Sequence, residues 1–397
     1  MLGDAESRGS ARPLVTTGID QPSLLYVSPV IPLLGGNGLA MRAGMVLEAL
    51  SRAYRVSLLV ARLYPPFDSP IPEYFQALCE RSVSTAPNLA STALGSISFD
   101  AVHVFRLAAL PFATTYFAPG CLRCLDLDDI ESLTHRRIAA LYRENGDQQL
   151  AESASAQAAR YAMLEGLALR KVDRVYVCSR QDQELLSGRY PAEIVVLPNA
   201  VRPPAHVYAR DKRTFRFLFI GTLGYYPNHD ALLWFCSAIL PLIAGQALYP
   251  FEVVVAGRGA SQQLVGTLAR SNVTFLGEVP DVQPCYNSAH AVIAPLRAGG
   301  GSRIKILEAF SFGRPVVATS AGLEGIEAED REHVLVRETP ETFASGCLEL
   351  MRDVELGERL ARNASSLWSR DYSAEALGRT VSSLATFRAH PRSSPKA

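Results

Sequence analysis

Short apolar runs recur along the chain, each followed by a loop marked by glycine, proline or acidic residues and then by a longer stretch of helical periodicity. The first series begins with Ser23-Leu-Leu-Tyr-Val27, a Pro/Gly loop to Gly38, a helix through Leu50 and the strand Val56 to Val60. It continues with Ala101-Val-His-Val-Phe105 and Cys121 to Leu127, and after a helical segment at about Glu131 to Arg170 it reaches Arg174-Val-Tyr-Val-Cys178. That helical segment is more polar and basic than a buried crossover would be. A second series opens at Phe215-Arg-Phe-Leu-Phe-Ile220 and runs through Phe251-Glu-Val-Val-Val255, Val273-Thr-Phe-Leu276, Ala291-Val-Ile-Ala294 and Pro315 to Ala318. It closes on helices near Pro340 to Arg362. Strands alternating with helices predict parallel sheets joined by right-handed crossovers.

The two series predict two doubly wound, Rossmann-like α/β domains, residues 22–204 and 205–372, facing each other across a cleft. A chain of 397 residues is more than one core usually serves, which agrees with two domains. Leu197-Pro-Asn-Ala-Val-Arg-Pro-Pro204 reads as the hinge, because its prolines exclude regular structure. A last helix, Ser373 to Phe387 within the segment 373–389, follows Trp368-Ser-Arg-Asp-Tyr372; residues 1–21 and 390–397 read as loosely ordered ends.

Composition narrows the partners. Lys plus Arg equals Asp plus Glu at 39 each, so no global field draws the molecule to nucleic acid or an anionic membrane. No apolar run approaches the ~18–20 residues of a spanning helix, and Met1 to Gln21 lacks the apolar core of a signal peptide, which points to a cytoplasmic protein. Peripheral contact with a membrane surface or lipid-linked acceptor has one candidate, the apolar Leu110-Pro-Phe-Ala-Thr-Thr-Tyr-Phe117 with the basic face Thr134-His-Arg-Arg-Ile138; core and solvated face is the plainer reading. Seven scattered cysteines suit a reducing compartment, and Cys121-Leu-Arg-Cys124 has no second pair to complete a zinc site, so no metal is expected.

The chemistry concentrates in Pro295-Leu-Arg-Ala-Gly-Gly-Gly-Ser-Arg-Ile-Lys-Ile-Leu-Glu-Ala, which runs from a loop into a short helix. Gly299, Gly300 and Gly301, with Ser302 after them, leave backbone amides open to an anion, and the helix that follows turns its positive dipole end to the same place. Arg303 and Lys305 put cations in that first turn, where they oppose the dipole unless something anionic offsets them. Glu308 lies one turn beyond Lys305, within reach of the same ligand, and a carboxylate suits a ribose diol. The plainer reading is a strand-to-helix turn with solvated cations.

This stretch, with Gly313-Arg-Pro-Val-Val-Ala318, resembles the donor-binding signature of retaining, nucleotide-sugar-dependent glycosyltransferases of the GT-B fold, family 4 (glycosyl transferases group 1). The resemblance runs from about Leu24 to Phe387 and is strongest in the second half. It implies a terminal helix that crosses back to the first domain. It also implies transfer of a sugar from a nucleotide-diphosphate donor, UDP or GDP, to an acceptor hydroxyl, with retention and without metal or cofactor. The acceptor would be a carbohydrate, a lipid-linked molecule or a small molecule. Gly35, Gly36 and Asn37 match the loop that approaches the diphosphate from the first domain. Gly221 and Gly257 match two glycine turns, and Gly277 with Val279 the segment that reads the base. His103, in Phe99-Asp-Ala-Val-His-Val104, and Asp128, in Leu125-Asp-Leu-Asp-Asp-Ile-Glu-Ser132, are the acceptor-side candidates; a structural histidine and a helix cap are their plainer readings.

Two departures stand out. Thr222 and Asn228 occupy the places of an Arg and a Lys that clamp the diphosphate in the family, which leaves Arg303 and Lys305 as substitutes. Of a pair of glutamates eight positions apart only Glu308 is present; the earlier place is Gly300. A nucleotide-sugar epimerase of the same fold, or a catalytically silent partner in a sugar-polymer assembly, is the alternative reading. A dinucleotide oxidoreductase is disfavoured, because no Gly-x-Gly-x-x-Gly follows the first strand.

Overall fold

The computed structural model describes residues 21–65, 67, 69–205, 214–301 and 303–385. Most of the expected N-terminal segment, the end of the last helix with the tail, and Ser302 therefore lie outside the described residues.

Seven parallel strands build the first sheet: β1 (Ser23–Ser28), β2 (Arg55–Ala61), β3 (Arg81–Thr85), β4 (Ala101–Phe105), β5 (Leu122–Asp128), β6 (Arg174–Val177) and β7 (Glu193–Val196), in spatial order 3-2-1-4-5-6-7. Six build the second: β8 (Phe215–Ile220), β9 (Phe251–Ala256), β10 (Thr274–Gly277), β11 (Ala291–Ala294), β12 (Val316–Ala318) and β13 (Leu335–Val336), in order 10-9-8-11-12-13. Both sheets are parallel throughout and carry a core on each face, which is why their central strands read as unbroken apolar runs.

Each strand expected from the sequence is present. The three that periodicity missed, β3, β7 and β13, lie at sheet edges. Arg81-Ser-Val-Ser-Thr85 has no fully buried position and carries a single large apolar residue, and Leu335–Val336 is too short to show a period.

Two crossings join the domains, and they are hydrogen-bonded to each other. Val201 donates its N–H to the Tyr372 carbonyl at 3.0 Å, and the Trp368 indole donates to the Val201 carbonyl at 3.3 Å. The last helix, Ala374–Ala385, then packs Leu377 and Val381 into the core of the first domain, and Arg174 donates to the Leu384 carbonyl at 3.4 Å. The crossing back is therefore real.

The polar segment expected at about 131–170 is a hairpin of two helices, Glu131–Glu144 and Gln148–Ala168, broken at Asn145-Gly146-Asp147, where Gly146 takes a φ of 84°. The first of these helices spans the interdomain gap, and that explains its polarity. Arg137 donates to both oxygens of Glu324 at 2.6 Å and to the Gly299 carbonyl at 3.0 Å. Arg297 donates to Glu144 at 2.6 Å, to Asn145 at 2.9 Å and to both oxygens of Asp230. The Tyr142 and Tyr226 rings stack at 3.9 Å.

These contacts also bear on the two stretches read as a candidate membrane-facing pair. Leu110, Ala113 and Tyr116 are buried in the first domain's core, and Arg137 faces the second domain. Among the described residues no helix is long and apolar enough to cross a membrane.

Candidate functional site

The carboxyl ends of both sheets meet at a cleft of about 880 Å³, where open α/β sheets place their ligands. From the first domain it receives Gly36 and Asn37 after β1, Arg106 after β4, and Asp128 and Asp129 at the end of β5. The second contributes Gly221 after β8, Gly257 after β9, Glu278 and Val279 after β10, and the glycine loop after β11.

Asn37 caps the helix Gly38–Ser51, its Oδ1 accepting from the Ala40 N–H at 2.9 Å, so the loop before it is fixed at the cleft edge. Gly221 and Gly257 are required by close approach. A methyl group on Gly257, which has a φ of 154°, would lie 1.8 Å from the Gly221 carbonyl oxygen. One on Gly221 would lie 2.9 Å from the Lys305 amine.

Lys305 is the cation most clearly placed for an anionic ligand. It stands in the first turn of the helix Ile304–Ser311, 4.2 Å above the Phe219 ring, and donates to Asn228 Oδ1 at 2.6 Å. Asn228 in turn donates to the Thr222 carbonyl at 2.9 Å. The two positions of the sequence departure are thus tied to Lys305 itself. Burial pushes the Lys305 ammonium down to about 7, with Arg303 adding to the effect and Glu308 opposing it. Glu308 also lines the cleft and accepts from the Tyr286 hydroxyl at 2.8 Å. Burial pushes its carboxyl up to about 7 against the pull of that hydrogen bond and of Lys305. Lys305 and Glu308 are thus a cation and a carboxylate, both costly to charge where they are buried, lining one cleft.

Arg303 is a different case from Lys305. It is buried, its guanidinium donates to the carbonyls of Gly300 and of Ala321, and it forms the N-cap position of the helix. It braces the glycine loop from within and also lines the cleft, where the sequence reading has it hold phosphate. Its Nε is buried with no hydrogen-bond partner among the described residues.

The glycine loop presses on the first domain. A methyl group on Gly300 would lie 1.9 Å from Thr134 Oγ1 and 2.0 Å from Asp129 Oδ1. No side chain fits there while the domains stand as they do, and this is the physical reason for glycine where the resemblance places a glutamate. Thr134 donates to Asp129 Oδ1 at 2.7 Å. Burial pushes the Asp129 carboxyl above the ordinary carboxylate range; Arg106 and Thr134 oppose the shift, Asp128 adds to it and Arg303 opposes it.

On the first-domain wall Asp128 adopts a φ of 60° and is held by Arg106 at 3.3 Å, by Cys178 at 3.2 Å and by Asn199 at 3.4 Å. Arg106 also donates to Glu131. Beneath them Arg42, fully buried, pairs with Asp126 at 2.7 Å and donates to Asn199 at 3.1 Å and to the Leu197 carbonyl at 3.1 Å, which fixes the hinge to the cleft floor.

Of the sequence candidates, Gly36, Asn37, Asp128, Gly221, Gly257, Val279, Gly300, Gly301, Arg303, Lys305 and Glu308 line the cleft. Gly35, Gly277 and Gly299 do not line it; Gly277 accepts from the Gly257 N–H at 2.7 Å. His103 is corrected: it sits inside β4, 1% exposed, stacked on Tyr176 at 5.1 Å with its Nε2 3.7 Å from Asp126. Its side chain packs among Tyr26, Tyr176 and Asp126 on one face of the sheet and does not line the cleft, because alternation along the strand sets the face. Asp129 and Glu131 belong to the carboxylate cluster read at the end of β5, from which the sequence singled out Asp128 alone; sequence reasoning passed over Arg106, Arg258 and the aromatic trio Tyr64, Tyr161 and His135. The signal for Arg106 was a charged residue directly after an apolar strand. Among the described residues no group of three or more His, Cys, Asp or Glu can hold a metal, and the cysteines are free.

Comparison with known proteins places this geometry in a class. Residues 214–353 match the family model described as Glycosyl transferases group 1. Sucrose-phosphate synthase from Thermosynechococcus elongatus superposes with a TM-score of 0.66 at 14% identity, covering 92% of this chain and 98% of that one. An Anabaena protein, HepE, solved with UDP and glucose, gives 0.64 at 15% identity over 92% of this chain and 100% of the other. TarM of S. aureus, solved with UDP and α-GlcNAc-glycerol, gives 0.57 at 15% identity over 75% and 58%. The molecule therefore has the GT-B fold, and its second domain is the part that matches the glycosyl transferases group 1 model. In sequence, an uncharacterized 44.6 kDa protein from the cps region of Klebsiella pneumoniae is 24% identical over 192 residues, 46% of this chain. The match spans about half the length of that relative, 49%.

Proposed function

We propose that the protein transfers a sugar from a nucleotide-diphosphate donor to an acceptor hydroxyl, with retention of anomeric configuration and without a metal ion. The observation that carries this reading is the pairing of Lys305, charge-starved when the cleft is empty, with a glycine loop and a helix N-terminus in one cleft of a glycosyl transferases group 1 domain. The diphosphate sits at Lys305 and the amides of the loop, which take up the leaving charge as the glycosidic bond to phosphate breaks. Glu308 accepts from the ribose diol. The sugar lies between the glycine loop and the end of β5, and the acceptor approaches along the first-domain wall of Tyr64, Tyr161 and His135. The departing phosphate serves as the base for a front-face attack, so no protein nucleophile is assigned. Donors with UDP or GDP are the first to test, and sugar-polymer or glycoconjugate assembly is the process that such a transferase serves.

The test is thermal stabilisation by a panel of UDP- and GDP-sugars, followed by release of nucleotide diphosphate in excess chelator. Stabilisation by one donor and chelator-resistant release with an acceptor are expected. Absence of stabilisation by every donor overturns the reading, and appearance of an epimerised sugar nucleotide would assign the chain to the epimerase alternative instead.

A further inference from the structure

Asp129 is a carboxylate of the first domain inserted into the anion-binding loop of the second. Its Oδ1 occupies the space in which any side chain at position 300 would start, 2.0 Å from the place of a Gly300 methyl group. Thr134 fixes that oxygen at 2.7 Å, and the Asp129 N–H is tied to the Leu127 carbonyl at 2.6 Å, so the carboxylate has a set position rather than a sweep. Oδ2 has no hydrogen-bond partner among the described residues, although Asp129 lines the cleft. Such an oxygen is unwelcoming to phosphate, because like charges repel at short range. It is well suited to a neutral hydroxyl donor. Along the loop, Lys305 and the helix start mark the anionic part of the ligand, and Gly300 and Gly301 mark what comes next to it.

We propose that Asp129 Oδ2 accepts a hydrogen bond from a hydroxyl of the transferred sugar, so that the sugar subsite is formed by both domains and is complete only when the Glu131–Glu144 helix holds them together. The assignment rests on the nucleotide-sugar reading given above. In this arrangement Gly300 is the position that makes room for Asp129, and the sugar is recognised by a carboxylate from the opposite side of the cleft.

The test compares affinities for a nucleotide diphosphate and for the matching sugar nucleotide in the same protein, using UDP, GDP, UDP-glucose, UDP-N-acetylglucosamine and GDP-mannose as probes in calorimetry. Wild type, Asp129→Asn and Asp129→Ala are measured. The expected result is that both variants keep the nucleotide diphosphate affinity within about twofold and lose about tenfold or more for the sugar nucleotide, the scale of one charge-assisted hydrogen bond. Equal losses for both ligands would show that Asp129 only supports the loop, and unchanged affinities for both would show that the sugar does not touch it; either overturns the assignment. Failure of wild type to bind all five probes would instead remove the nucleotide-sugar reading on which it stands.

Discussion

Raising the pH through neutrality should weaken donor binding in a way that one residue controls. Lys305 has its ordinary value of 10.5 pushed down to about 7, burial being the main cause. A bound diphosphate supplies the opposite charge that burial withholds, and it returns the ammonium toward its ordinary range. The protonated form is then the one that binds. The Lys305 contribution to affinity is full below pH 7, falls as Lys305 loses its proton in the free protein, and levels off only near the value in the complex. Between about pH 7.5 and pH 8.5 the free protonated fraction drops about eightfold, which is about 1.2 kcal/mol of binding free energy. The assay is titration calorimetry with a sugar nucleotide, whose diphosphate does not titrate in this range, in two buffers of different ionisation enthalpy. Wild type should take up close to one proton per donor at the upper end. Lys305→Met should bind more weakly at neutral pH and show neither the fall nor the uptake, while its ligand-free melting temperature stays level or rises, because a cation that burial disfavours has gone. Wild-type affinity that is flat over this range, with no proton uptake, would refute the placement of the diphosphate at Lys305.

Three other outcomes follow from particular contacts. Glu308→Gln should weaken donor binding by about 1.5–3 kcal/mol, the worth of a charge-assisted hydrogen bond, and abolish the decline of affinity below pH 7 that comes from protonating Glu308; calorimetry on either side of neutrality measures both. Arg137→Ala removes the bidentate pair with Glu324 and the bond to Gly299, so X-ray scattering should show a wider molecule and the donor KM should rise about tenfold; an unchanged radius of gyration would mean that the other interdomain contacts suffice. Arg303→Ala should cost about 1.5–3 kcal/mol of ligand-free stability in denaturant, unlike Lys305→Met, because its two bonds to backbone carbonyls brace the loop. Equal stability would show that the loop holds itself.

Periodicity along the chain determined two parallel α/β domains and a last helix, prolines marked the hinge, and local composition marked the glycine loop with Lys305 and Glu308 beside it; that the last helix returns to the first domain was implied by the family resemblance. These are local properties: central strands buried on both faces are continuously apolar, a glycine run precedes a helix, and residues three apart on a helix share a side. Edge strands such as Arg81–Thr85 were not legible, since no position of that strand is fully buried and it carries a single large apolar residue. Residues 131–170 could be seen to be too polar for a crossover, but only tertiary structure shows that this polarity serves the contact with Glu324 and Arg297. The same holds for His103, whose face is decided by strand register, and for Arg303, whose charge turns inward to two carbonyls instead of outward to the cleft. Gly300 is the clearest instance. In the sequence it is a missing glutamate; in the folded molecule its methyl-sized gap is filled by Asp129 and Thr134 of the other domain, residues more than 160 positions away. Which carboxylate reaches the glycine loop is set by how two separately specified domains pack, and no local pattern encodes that.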